Sequence, residues 1–325
     1  PVITVPDDYS TIQEAIDLSS DGDTILVSPG IYYENLLIES KPDRTIASMY
    51  LFSNDSTHIT NTIIDGSESN RVVNVHDYSH NFVLNGFTIQ NGYIDFIGGS
   101  DNGGAGIKIY RSNNISLQNL IVKNNVFSVN DNSQSFIGGA GIYIFDSYEQ
   151  STISNCEVSN NIFRLQSQNG QEYKYTGGIG IYLRDHDMVL SYVEVRDNSI
   201  EIEGGYLGSY FGNTSGGLGI YSYDGSVVGD HLIVDNNYID VGEHNFEEFY
   251  LKGGGISSDN SIHLTNSQIR NHNVKSEGGG IFSYSNITLD NTIVSNNSAR
   301  EYGGIYLSGN LTLTNSVVSN NIATD

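Results

Sequence analysis

The sequence says nearly the same thing seven times. GGAGIKIYRS begins at Gly103, GGAGIYIFDS at Gly138, GGIGIYLRDH at Gly177, GGLGIYSYDG at Gly216, GGGISSDNS at Gly253, GGGIFSYSN at Gly278 and GGIYLSGN at Gly303. Aligned, they give one unit: a glycine pair, Ile-x-Ile/Leu, a polar turn, an alternating strand, Asn-x-x-Val and an Asn pair. Glycine pairs at 278 and 303 lie 25 residues apart, and Asn pairs at 296 and 320 lie 24 apart. A period in the twenties is that of a solenoid, whose units bury their apolar faces only by stacking on one another. Within a unit the apolar residues alternate with period two, as in Ile287 and Leu289, which excludes helical repeats. Each unit is therefore a coil of three short strands separated by bends, and successive coils pair in parallel at about 4.8 Å.

Asn119, Asn155, Asn266, Asn291 and Asn315 each precede the third strand of their coil. Stacked there, their amides can bond between coils and tolerate the backbone of the bend. Tyr192 and Asp230 are read as interruptions of that ladder.

The first residues depart from the repeat, as the end of a solenoid must. ITVPDDYSTIQEAIDLSSDGDTILVSPGIYYENLLI carries a short amphipathic helix over 11–18, with Ile12, Ala15 and Ile16 on one face and Ser10 with Gln13 as a capping box. This helix is expected to plug the open end of the core. The opening stretch, with the GI-x-I and Asn-Asn repeats behind it, resembles the pectate-lyase-like right-handed parallel β-helix superfamily over essentially the whole chain. The later coils are also similar to repeats of bacterial surface adhesins. The resemblance implies an all-β fold: one single-stranded right-handed parallel β-helix over 1–325. In it 1–40 form the N-terminal helical cap and first coil, 93–252 carry long insertions, and 253–325 are short regular coils. The chain ends directly after a coil, and the native protein is expected to continue beyond Asp325.

The insertions span 93–102, 126–137, 162–176, 199–215 and 238–252. All leave the same corner and are expected to form a wall beside the GI-x-I strand; per-repeat insertions on one face often mark a binding face. With the recurring isoleucines pointing inward, one outward column on that strand reads Lys108, Tyr143, Tyr182, Tyr221, Ser257, Phe282, Tyr306. A second reads Tyr110, Phe145, Arg184, Tyr223, Asp259, Tyr284, Ser308. Stacked aromatics of this kind suit the faces and hydroxyl edges of sugars. The candidate platform is Tyr110, Tyr143, Tyr182, Tyr221, Tyr223 and Phe282; the competing reading is a ladder that only packs.

The densest ionisable cluster near this face is Arg184, Asp185, His186 and Asp187. Arg184, Asp185, Asp187 and the more distant Lys108 are the candidate catalytic residues. Asp185 with Asp187 is the candidate metal pair, for Ca²⁺ if any cofactor is needed. In lyases of this fold the resemblance implies a basic proton abstractor beside a cation-bound uronate. Polygalacturonases of this fold carry Asn-Thr-Asp, Asp-Asp, Gly-His-Gly and Arg-Ile-Lys motifs on this face; here GGAGI and GGIGI hold no His, and the paired Asp is missing from the face. Carboxylate pairs for glycoside hydrolysis are available from Asp185 with Glu243, Glu247 and Glu248, or with Glu201 and Glu203. His76, His186, His231, His244 and His263 show no metal-ligand spacing.

The formal charge is −24, from 14 basic and 38 acidic residues. That field excludes nucleic acid and anionic membranes as partners. No apolar run approaches the ~18 residues of a membrane span, and one cysteine allows no internal disulfide. Two functions stay open. One is a monomeric secreted or bacterial cell-surface protein that binds polysaccharide or cell-surface glycan, with or without cleavage as a lyase or glycoside hydrolase. The other is a non-catalytic adhesin or structural spacer.

Overall fold

A computed structural model describes residues 1–96, 103–129, 137–147, 151–166, 176–185, 187–203, 216–240, 252–274 and 277–325. The GI-x-I segments form one parallel sheet of nine strands, in chain order from Leu36–Glu39 to Ile305–Leu307. The other arms of each coil form a 19-stranded assembly, and Tyr93–Phe96, Val126–Val129, Ile162–Gln166, Ser199–Glu203 and Tyr238–Asp240 make a further five-stranded parallel sheet. Strand pairs with its counterpart one coil on, so the chain is a parallel β-helix, right-handed as parallel crossovers in one sheet almost always are. Its inward stripe is a continuous apolar core from Val5 to Val294, including Ile107, Ile142, Ile181, Ile220, Ile256 and Ile281.

The helix α1 (Ile12–Leu18) closes the first coil, with Ile12, Ala15 and Ile16 buried in that core. The capping box sits one residue later than Ser10 and Gln13. Thr11 is the N-cap, its hydroxyl accepting from Glu14 N at 3.1 Å, while Glu14 reaches back to Ser10 N at 3.3 Å. Glu34, which follows the strand Gly30–Tyr33 of the first coil, adds its carboxylate, accepting from Ile12 N and Gln13 N at 2.9 Å each. A negative group on these orphan donors suits the positive end of the helix. Two short helices, α2 (Tyr50–Ser53) and α3 (Thr57–Asn61), interrupt the second coil on the opposite side from the GI-x-I sheet.

Two Asn devices turn the corners. At one corner Asn119, Asn155, Asn266, Asn291 and Asn315 all lie in the left-handed region, with φ between 48° and 53°. Amide bonds link neighbours there, Asn119 to Asn85 at 2.8 Å and Asn291 to Asn266 at 2.7 Å. The residues that break this series are Tyr192 and His231 (φ 54° and 53°), not Asp230, which precedes the corner. At the other corner the Asn pairs divide the work. The first member is left-handed, as at Asn124 and Asn160, and the second turns inward. The inward amides of Asn125, Asn161, Asn198 and Asn237 are fully buried and bonded coil to coil at 2.9–3.0 Å. Each also reaches a backbone carbonyl, as Asn161 does to Val122 O at 3.0 Å, so few polar atoms are orphaned.

His272 replaces Asn in this buried ladder. Its Nδ1 accepts from Asn237 N at 3.2 Å, and Asn297 Oδ1 accepts from its own N–H at 3.1 Å. Burial pushes its pKa down to about 4. An unfolded His takes up its proton near 6.5, so below that pH the unfolded chain holds a proton the native one refuses. Stability is therefore lost as pH falls from about 6.5 to about 4, by on the order of 3 kcal/mol for a shift of this size. His272→Asn, which restores the residue of the other coils, is expected to leave the melting temperature at pH 7 little changed. It should reduce the fall in melting temperature between pH 6.5 and pH 4, measured by circular dichroism.

Candidate functional site

The GI-x-I register places Lys108, Tyr143, Tyr182, Tyr221, Ser257 and Phe282 in one row of Cα partners. Their side chains point away from the coil interior, since they fall outside the cluster that the isoleucines build. They do not make an open platform. Tyr143, Tyr182, Tyr221 and Phe282 are at most 3% exposed, which corrects the expectation of sugar-facing rings at these four positions. Tyr143 stacks on Tyr182 at 5.1 Å and 14°, and Tyr182 meets Tyr221 edge-on at 5.4 Å. The reason lies in the glycine pairs. A Cβ on Gly103 would run into the Tyr143 ring, one on Gly138 into Tyr182 and one on Gly216 into Tyr221. The first glycine of a pair is a flat seat for a tyrosine, and the missing side chain is what lets the ring lie down. Burial holds the Tyr182 hydroxyl well above the usual phenol range. Its oxygen has no hydrogen-bond partner among the described residues.

The second outward row is the one that meets solvent. Tyr110, Phe145, Arg184 and Tyr223 are Cα partners and all half-buried. Tyr110 stacks on Phe145 at 5.3 Å and 19°. The Arg184 guanidinium lies 4.4 Å from the Phe145 ring centre and 5.8 Å from that of Tyr223. Lys108 leans 5.7 Å over Tyr110 instead of joining Arg184. At the far end Lys252 lies over Phe282 and Tyr284 and bonds the Tyr284 hydroxyl.

Carboxylates line the corner beside this row. Asp146, Asp185 and Asp224 occupy the same left-handed turn position in successive coils, with φ of 58°, 56° and 58°. Arg111 pairs with Asp146 at 3.1 Å and Arg184 with Asp185 at 3.4 Å. Burial raises the Asp185 pKa, Arg184 opposes this, and Asp224 and Asp146 add to it. Asp259, in the solvent-facing row beyond Tyr223, is pushed up to about 6. Burial is the main cause and Asp224 the next, while Lys252 and a hydrogen bond from Tyr221 hold it back.

The candidate ionisable residues have partners of their own. Asp187 is exposed, and its Oδ1 accepts from Ser226 N in the next coil at 2.6 Å. Lys108 and Arg184 stand in different rows two coils apart, where the expected register puts them. Glu201 is held by Arg164 at 2.9 Å in the five-stranded sheet. His186, Glu243, His244, Glu247 and Glu248, and most of each insertion, lie outside the described residues. The first strand of each insertion is described, and these strands do stack at one corner. Among the described residues, the side chains whose donors lie within 4.8 Å of one another in a metal-like group are Glu39, His76 and Asp77. Glu39 and His76 are cross-strand partners 37 positions apart in sequence, a proximity that spacing along the chain conceals.

No protein-family model matches the chain, and no curated protein sequence does. Solved structures do. The crystal structure of pectate lyase Pel9A matches 95% of this chain and 73% of its own at 14% identity and a TM-score of 0.49. A family 28 exopolygalacturonase of Yersinia enterocolitica matches at 11% identity and a TM-score of 0.34, covering 96% and 78%. PfbA, a surface adhesin of Streptococcus pneumoniae, matches at 12% and 0.35, covering 99% and 93%. The fold is the parallel β-helix that the sequence resemblance implied. It stands on the strand pairings themselves, since likenesses this distant carry no activity across.

The two rows make separable predictions. Tyr182→Ala removes a fully buried ring and should destabilise by about 3–5 kcal/mol, the usual cost of truncating a buried aromatic. Tyr223→Ala, in the half-exposed row, should cost far less. Urea unfolding of both variants checks this ordering.

Proposed function

We propose that this protein binds a polysaccharide along the half-exposed row Tyr110, Phe145, Arg184, Tyr223, Asp259 and Tyr284, as a secreted or bacterial cell-surface monomer. The observation that carries the reading is the ring and guanidinium stack from Tyr110 through Phe145 and Arg184 to Tyr223, running along the helix axis at the coil rise. The rings and the guanidinium cover one another's faces, so the row offers a sugar chain half-exposed ring edges for apolar contact and, at Tyr110, Arg184 and Tyr223, polar groups for its hydroxyls. The corner carboxylates Asp146, Asp185 and Asp224 are acceptors for their hydroxyls. Exposure of this row, where the neighbouring tyrosine row is sealed, favours a ligand over a purely mechanical ladder. Affinity electrophoresis through gels cast with neutral and acidic polysaccharides tests it. Phe145→Ala with Tyr223→Ala should abolish retardation while leaving the circular dichroism spectrum intact. Equal retardation of wild type and double variant would overturn the reading and leave the adhesin or spacer alternative.

A second reading, cleavage by glycoside hydrolysis, is favoured by Asp259. A carboxyl raised to about 6 beside a second carboxylate, Asp224, has the environment of a general acid with its base partner. Lyase chemistry is less well served. Arg184 is stacked between rings and paired with Asp185, and a guanidinium does not give up its proton to act as base. If hydrolysis occurs, new reducing ends should appear most rapidly below pH 6, and Asp259→Asn should abolish them. The same variant has a stability signature. Between about 4 and 6 native Asp259 keeps a proton that the unfolded chain has released, so the Asp259 contribution to stability falls as pH rises through that window, opposing the rise from His272. Asp259→Asn should lack this loss, so its melting temperature relative to wild type should be higher at pH 7 than at pH 4.5.

A further inference from the structure

The corner opposite the proposed binding row breaks its own rule in two adjacent coils. Where other coils place Asn in the left-handed region, Tyr192 and His231 stand, with φ of 54° and 53°. A bulky side chain is strained there in a way Asn is not. The coils also forgo the amide bond that Asn would make to its neighbour. What they gain is a ring pair, with Tyr192 and His231 stacked at 4.4 Å and 15°. His231 is held in turn by Asp230 at 3.0 Å. Tyr192 is nonetheless 58% exposed, so the arrangement is not burial of a stray aromatic.

Tyr192 forms one wall of a groove of about 370 Å³, which lies over the coils that precede it, away from His231. The groove is lined by Asn119, Asn155, Glu157 and Glu194, and its far wall is Thr57 of α3. That wall is the helical excursion of the second coil, formed by α2 and α3. The volume is that of a small-ligand site. Glu157 and Glu194 are fixed by sharing Arg196, at 2.7 and 3.0 Å. The floor includes Cys156, whose thiol burial pushes up to about 12, so it is no nucleophile.

We infer that this groove is a second carbohydrate site, distinct from the proposed row, which seats one neutral pyranose ring against Tyr192. His231 backs the tyrosine ring and leaves its other face over the groove for the C–H face of the sugar. The amides of Asn119 and Asn155, the Thr57 hydroxyl and the two carboxylates supply donors and acceptors for hydroxyl groups around the ring. Two carboxylates against one arginine disfavour a uronate there and leave a neutral sugar as the occupant.

The test is saturation-transfer-difference NMR on the full chain with methyl glucoside, methyl galactoside, N-acetylglucosamine and galacturonate as probes. Tyr192→Asn installs the residue that the other coils use at this corner, so it should fold and melt at or above the wild-type temperature. The expected result is saturation of at least one neutral sugar, lowered tenfold or more in Tyr192→Asn and retained in Tyr192→Phe. Tyr223→Ala should leave this signal unchanged, which separates the groove from the proposed row. No neutral sugar saturated, galacturonate preferred, or equal signals from wild type and Tyr192→Asn would each overturn the inference.

Discussion

Everything in this molecule depends on repeating one corner geometry coil after coil. A three-strand coil has no interior of its own, and its apolar stripe leaves water only when the next coil lies directly on top. That requires every bend to place its peptide groups at the same height and angle. Asn solves both halves of the problem, because it accepts positive φ and its side-chain amide bonds the Asn above and below. The buried series Asn125, Asn161, Asn198 and Asn237 shows the result: amides 2.9–3.0 Å apart, bonded to one another and to backbone carbonyls inside the coil.

The glycine pairs serve the same stacking in a different place. One glycine of the pair often takes positive φ, as at Gly104, Gly139 and Gly178, to start the GI-x-I strand. The other gives up its side chain so that a tyrosine ring can lie across the backbone. The outward side of the sheet is thereby split into two rows of unlike character, one sealed against glycine and one half open. Part of the acidic excess behind the charge of −24 lies where the coils turn. The Asp146, Asp185 and Asp224 column is one such line of turns.

The sequence discloses the coil because coil-building is periodic. Alternating isoleucines, Asn corners and the row assignments from Lys108 to Tyr306 all survive in the observed register, because each follows from period two and a fixed repeat. Exposure does not follow from periodicity. Tyr221 and Tyr223 are two residues apart on one strand, with Tyr182 in step with Tyr221 one coil back, and the bare backbone of Gly138 and Gly216 is what lets Tyr182 and Tyr221 lie covered. Proximity across coils is equally hidden, which is why Glu39 with His76, and Thr57 with Tyr192, carry no signature in the linear chain. The Asp230 misplacement has a plain cause: Asp is a common turn residue, whereas the strained position had been given to His231.

Departures from a strict repeat then become informative when burial is considered together with identity. His272 and Tyr192 both replace an Asn of a ladder. His272 is enclosed, and its ring nitrogens take over the hydrogen bonds of the amide it displaced, so the substitution is absorbed by the core. Tyr192 replaces none of the lost amide bonds, keeps its ring in water and is braced from behind by a second ring. A solenoid has no structural use for such a side chain, since the neighbouring coils pair without it. Substitutions that restore the lost bonding maintain the scaffold; those that abandon it at the surface, in strained backbone beside a groove, mark the places where the scaffold has been put to use.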